Sequence, residues 1–115
     1  MAGGISVHAV DVARGVPAHG MRVEIYALKN GRERVAEGLL AANGALAHPI
    51  GQAAAAGTYE VLFHVGDYFR STGAPASTPP FLDVVPFRFT IADPNQHYHL
   101  PLKLTPWGFS LFRGS

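Results

Sequence analysis

With 115 residues, 48% of them hydrophobic and 15% charged, the chain has the size of one domain, read as spanning 1–115. A chain of that length buries roughly two thirds of the surface its unfolded form exposes. Nine Lys and Arg against eight Asp and Glu leave a formal charge of +1 with no basic run, which excludes a nucleic-acid backbone as partner, and the lack of cysteine excludes disulfides, thiolate nucleophiles and thiolate metal sites.

Taken in chain order, the first residues show neither a basic nor a long apolar leader pattern, and no later apolar run could span a bilayer, so a cytoplasmic protein without membrane association is expected. Ile5, Val7 and Ala9 share one face of a first strand, leaving Ser6 and His8 on the other. Met21 to Leu28 alternates again, with Met21, Val23, Ile25 and Ala27 inward and Arg22, Glu24 and Tyr26 outward. Asn30-Gly31 suits a hairpin turn, Arg32 to Leu40 is its return strand, and Asn43-Gly44 marks the next turn.

Thr58 to Val65 is a strand with Tyr59, Val61, Phe63 and Val65 on the core side. Gly66 to Ser71 predicts the chain's only helix, a turn or two with Asp67 near its start, followed by a loop over 71–80. The Ala-rich stretch Gln52 to Ala56 is too short for a second helix. Pro86 opens a strand through Ile91, His97 to Leu104 forms another, and Thr105 to Gly108 turns into a last one at Phe109 to Phe112. Pro101, with no N–H for a ladder, predicts an edge or a bulge. Seven or eight short strands, one short helix and regular turns make an all-β sandwich, and the apolar surplus predicts that copies of the chain cover one another.

Six histidines are the obvious chemistry-bearing residues. In the strand from His97, the residues Tyr98, Leu100, Leu102 and Leu104 face the core, so His97, His99 and Lys103 share the outer face, as His8 does on the first strand. Three readings stay open: solvated surface imidazoles, a zinc site built on His97-x-His99 plus a third His, and a metal-free general base that activates water against an amide or lactam carbonyl. His19, His48 and His64 read as structural or solvent-facing, and Lys103 has two readings, a solvated charge and a channel-lining residue.

Several segments resemble the 5-hydroxyisourate hydrolases, also called transthyretin-related proteins. They are Val7-His8-Ala9-Val10-Asp11 with Gly15-Val16-Pro17-Ala18, Gly57-Thr58-Tyr59-Glu60, Phe63 to Phe69, Pro79-Pro80-Phe81-Leu82, Ile91-Ala92-Asp93-Pro94, and His97-Tyr98-His99-Leu100-Pro101-Leu102 through to Phe112-Arg113-Gly114-Ser115. The resemblance implies a transthyretin-like (prealbumin) sandwich in a homotetramer, a dimer of dimers whose active sites lie in a channel between subunits. It implies hydrolysis of the six-membered ring of 5-hydroxyisourate, a purine-derived small molecule, without metal or organic cofactor. By the same resemblance His8 and His99 are the catalytic histidines, and Arg113, Gly114 and Ser115 help to build the substrate pocket.

Two positions depart from that pattern. Ala45 stands where the family usually carries Arg, and Phe112 where it has Tyr. Loss of a cation removes charge-assisted hydrogen bonds, so Ala45 points either to a weakened paralogue or to a changed substrate. Ala45-Leu46 would offer room and apolar surface to an N-methylated hydroxyisourate, as oxidation of a methylxanthine such as caffeine would generate. The other class is a binding protein: vertebrate transthyretin keeps the fold and carries hormone in the same channel, but lacks the catalytic histidines and the Arg-Gly-Ser ending retained in this chain.

Overall fold

The computed structural model describes residues 3–73 and 77–114. Among the described residues eight strands form two four-stranded sheets. In chain order they are β1 (Ile5–Asp11), β2 (Val16–Pro17), β3 (Arg22–Ala27), β4 (Glu33–Leu39), β5 (Gly57–Phe63), β6 (Val85–Ile91), β7 (Tyr98–Thr105) and β8 (Gly108–Leu111), with one α-helix, α1 (Val65–Ser71), after β5. One sheet runs β2-β1-β7-β8 and the other β4-β3-β5-β6. The expected all-β sandwich with one short helix is therefore the observed architecture.

Strict alternation builds the core. Ile5, Val7 and Ala9 of β1 and Leu100, Leu102 and Leu104 of β7 are buried against Val23 and Ile25 of β3 and Tyr59, Val61 and Phe63 of β5. β-branched and aromatic side chains fill this pleated, two-layer space well. The β3–β4 hairpin closes as expected, with Asn30 at φ 53° and Gly31 at φ 115°, the left-handed pair that matches the twist of its strands. A bulge at Ile25/Tyr26 shifts the register within it.

Three expectations are corrected. Pro101 lies in a central strand, because β7 sits between β1 and β8. The proline is tolerated because the ladder to β8 stops at Leu102–Leu111 and resumes only as an isolated bridge between His99 and Gly114, so no N–H is required in between. Val65 leaves β5 to begin α1, where Gly66 donates to the Asp83 carbonyl at 2.8 Å; a Cβ on Gly66 would approach the Leu82 carbonyl oxygen to 2.8 Å. A 3-10 turn at Pro49–Gly51 was not foreseen, and His48 caps it by accepting at Nδ1 from the Ile50 N–H. The loop expected over 71–80 falls partly outside the described residues.

Two polar networks fasten the sandwich. Asp11, fully buried at the end of β1, accepts from the Arg14 backbone N–H (3.1 Å), Arg14 Nε (3.0 Å) and the Tyr68 hydroxyl (3.0 Å), which ties the strand to α1. On the outer face of the other sheet, Glu24 meets His64 Nε2 at 2.8 Å and accepts from the Tyr26 hydroxyl at 2.7 Å and from Arg34 at 3.2 Å. His64, then Tyr26, hold the Glu24 carboxyl down at about 2, against the opposing effect of burial. His64 is thus a structural partner, as its place on the polar side of a strand suggested.

Candidate functional site

β1 and β7 run side by side in parallel, with Ser6 opposite His99 and His8 opposite Pro101. Parallel pairing in this register puts Ser6, His8 and His99 on one outer face of the sheet, because residues two apart on a strand and opposite each other across strands point the same way. His97 joins them from just before β7. Its Nε2 lies 2.7 Å from Ser6 Oγ and its Nδ1 lies 2.8 Å from the Gly3 carbonyl oxygen. His99 Nδ1 approaches the same Ser6 Oγ at 2.7 Å. Among the described residues, His99 Nε2 has no hydrogen-bond partner.

His99 is half-buried. Burial, followed by the nearby charges of His8 and His97, pushes its pKa below the ordinary value of 6.5. Desolvation and like charge both disfavour the imidazolium, so His99 is a neutral ring at neutral pH and able to accept a proton.

His8 is held from the other side. Its Nε2 donates to the Asn43 carbonyl at 2.7 Å. That carbonyl is brought in by the Asn43-Gly44 turn, where Gly44 sits at φ 84°, and a Cβ on Gly44 would approach the Ala9 carbonyl oxygen to 2.6 Å and His8 Nε2 to 3.2 Å. Only glycine fits there without moving the histidine. The turn then runs into an antiparallel bridge that pairs His8 with Ala45, so the Ala45 methyl stands beside His8 on the same face. Leu46 turns the other way and packs against the core, which leaves Ala45 alone to shape this flank.

The C-terminal segment forms the opposite wall. Gly114 donates its N–H to the His99 carbonyl at 2.7 Å, and a Cβ on it would come within 3.0 Å of His99 Cδ2. Glycine therefore lets the chain lie against the imidazole. Arg113 goes to the other side: its guanidinium stacks 3.9 Å from the Tyr98 ring centroid and donates to Gln96 Oε1 at 3.1 Å and to the His97 carbonyl at 3.3 Å. Within the chain Arg113 pins the segment that carries Gly114 and does not reach the imidazoles. Ser115 lies outside the described residues.

Lys103 and Phe112 sit further along the same outer face, both exposed, with Lys103 Nζ 6.0 Å from the Phe112 ring centroid. His19 is exposed at its turn, and His48 is occupied by its capping bond. Among the described residues no group of three or more His, Cys, Asp or Glu side chains is placed to hold a metal ion, and His97 and His99 both direct a ring nitrogen at Ser6. The Ser6 and His97 contributions were only half visible beforehand: alternation put both on the histidine face, but their contact depends on pairing strands more than 90 positions apart.

The chain matches the model of the HIUase/Transthyretin family over residues 5–114. It is 44% identical to 5-hydroxyisourate hydrolase 2 of Rhizobium meliloti (strain 1021) over 116 residues, covering 98% of this chain and 97% of that protein. The crystal structure of (S)-allantoin synthase superposes with a TM-score of 0.91 at 38% identity, covering 99% of this chain, which spans only 44% of that one. Klebsiella pneumoniae 5-hydroxyisourate hydrolase superposes with a TM-score of 0.83 at 28% identity, covering 98% and 99% of the two chains. The match to the family model runs from the first residue of β1 to the Gly114 that lies against His99, and on that extent the chain belongs to the HIUase/Transthyretin family.

Proposed function

We infer that the chain hydrolyses the six-membered ring amide of 5-hydroxyisourate or an N-methylated derivative, using its own imidazoles and no metal or cofactor. The observation that carries this reading is the pair His8 and His99 on one outer face, with His99 bonded through Nδ1 to Ser6 and its Nε2 without a hydrogen-bond partner among the described residues. His99 takes a proton from water while the water oxygen attacks the ring carbonyl. The carbon–nitrogen bond then breaks, and the ring nitrogen leaves with the proton that His99 had taken. His8, fixed by the Asn43 carbonyl, orients the water.

The site is an open face in one protomer. A cleft of about 440 Å³ does occur elsewhere, between the β3–β4 hairpin and the start of β5 near Lys29, Glu33 and Tyr59, and no histidine lines it. Water exclusion over His8 and His99 therefore calls for a second copy of the chain. The exposed apolar side chain of Phe112 on this outer face suits such a cover, in the homotetramer that the sequence leads one to expect. A soluble, cytoplasmic enzyme is part of the same reading.

Ala45 favours the N-methylated form of the substrate. Its methyl lies beside His8 where a guanidinium would otherwise stand, and N-methyl groups replace polar ring N–H groups with apolar bulk that needs the space. The experiment generates 5-hydroxyisourate and its mono-, di- and trimethyl relatives in place from the corresponding urates and follows their decay with wild type and Ala45→Arg. A charge-assisted hydrogen bond is worth about 2 kcal/mol, so Ala45→Arg is expected to shift the ratio of kcat/KM values toward the unmethylated ring by roughly thirtyfold. Equal acceleration of all rings by both proteins would remove the methylated-substrate reading, and no acceleration by wild type would remove the hydrolase reading itself.

A further inference from the structure

The Ser6 hydroxyl lies 2.7 Å from His97 Nε2 and 2.7 Å from His99 Nδ1. A serine hydroxyl has a single hydrogen, so it can donate to at most one of the two ring nitrogens. The far end of the row His97–Ser6–His99 decides which: His97 Nδ1 lies 2.8 Å from the Gly3 carbonyl oxygen, and a carbonyl can only accept. Nδ1 of His97 thus carries the hydrogen, and in the neutral ring Nε2 is the lone-pair nitrogen and accepts from Ser6. Ser6 Oγ, having spent its hydrogen, accepts from His99 Nδ1–H.

We propose that Ser6 and His97 are positioning residues that hold neutral His99 in its Nδ1–H form, so that the lone pair is placed on Nε2, the nitrogen turned to the open face. The device polarises a hydrogen-bonded row in one direction from a backbone carbonyl at its end. An isolated neutral histidine side chain prefers the opposite form, with hydrogen on Nε2, and in that form His99 would present a donor where the reaction needs a base. Neither Ser6 nor His97 needs to touch the substrate. The role in turnover rests on the hydrolase reading above, whereas the tautomer itself is a property of the free protein.

The test reads the two separately. In protein labelled with nitrogen-15 histidine at mildly alkaline pH, long-range proton–nitrogen correlations report which ring nitrogen of His99 is protonated. Wild type is expected to show Nδ1–H. Ser6→Ala is expected to move His99 toward Nε2–H and to lower kcat by roughly tenfold, part of the span a general base supplies, with KM nearly unchanged. Ser6→Thr, which keeps the hydroxyl on a strand-compatible side chain, should restore both the tautomer and kcat. Nε2–H in wild type, or an unaltered tautomer in Ser6→Ala, would overturn the proposal, as would a changed tautomer with undiminished kcat. Nδ1–H in a wild type that hydrolyses no hydroxyisourate would support the tautomer assignment and defeat the hydrolase reading.

Discussion

Replacing His99 by Ala is expected to lower kcat on the preferred hydroxyisourate by at least about a hundredfold, the low end of what a positioned general base contributes, and to leave the assembly intact. The second half of the expectation comes from where the side chain lies. His99 points to the outer face between core residues Tyr98 and Leu100, so the alanine keeps the alternation and the β1–β7 ladder. Removing the ring frees one bond to Ser6, whose hydroxyl retains His97 as a partner. Loss of turnover with unchanged size in solution and an unchanged melting curve is the predicted combination. Activity close to wild type on every ring tested would reject His99 as the base, while dissociation of the assembly would show its role to be structural.

Leu102→Ala carries the largest expected effect on stability. Leu102 is fully buried near the centre of β7, the strand that carries His99, and its side chain points into the layer shared by both sheets. Truncating a leucine in such a place removes its transfer free energy and leaves a cavity that a stiff two-sheet core closes poorly, at a cost of about 2–5 kcal/mol. For a domain of this size that corresponds to a fall in Tm of about 10 °C or more. The comparison needs one fixed protein concentration, because the proposed self-association would add to the apparent stability. A loss below about 1 kcal/mol would mean that the core around β7 relaxes freely, contrary to the packing described. Measured below its melting range, the variant should keep most of its kcat, which separates support of the strand from the chemistry on its other face.

Much of this was legible in the residues. Period two in Ile5 to Ala9 and in His97 to Leu104 sorted core from outer face residue by residue, because a strand's side chains can point only two ways. Asn30-Gly31 and Asn43-Gly44 announced their turns through the left-handed conformation that those residues tolerate. What could not be read was which strands lie side by side. The parallel pairing of β1 with β7 joins the two ends of the chain, and only that pairing places Ser6 between His97 and His99. Pro101 misled for the same reason: a proline forbids one hydrogen bond, and whether the strand is an edge depends on what its other neighbours supply. Arg113 shows a further limit. Membership of a sequence motif says nothing about which face a side chain takes, and here the guanidinium goes to Tyr98 while Gly114 goes to His99.

The pH dependence of kcat/KM for wild type on a freshly generated hydroxyisourate bears most directly on a neutral imidazole acting as base. With His99 pushed below the ordinary 6.5 by burial and by the charges of His8 and His97, kcat/KM should be level through neutral pH and fall tenfold per unit only on the acid side of a break lying below that value. A rate that instead declines as pH rises through neutrality, demanding a protonated ring, would contradict it.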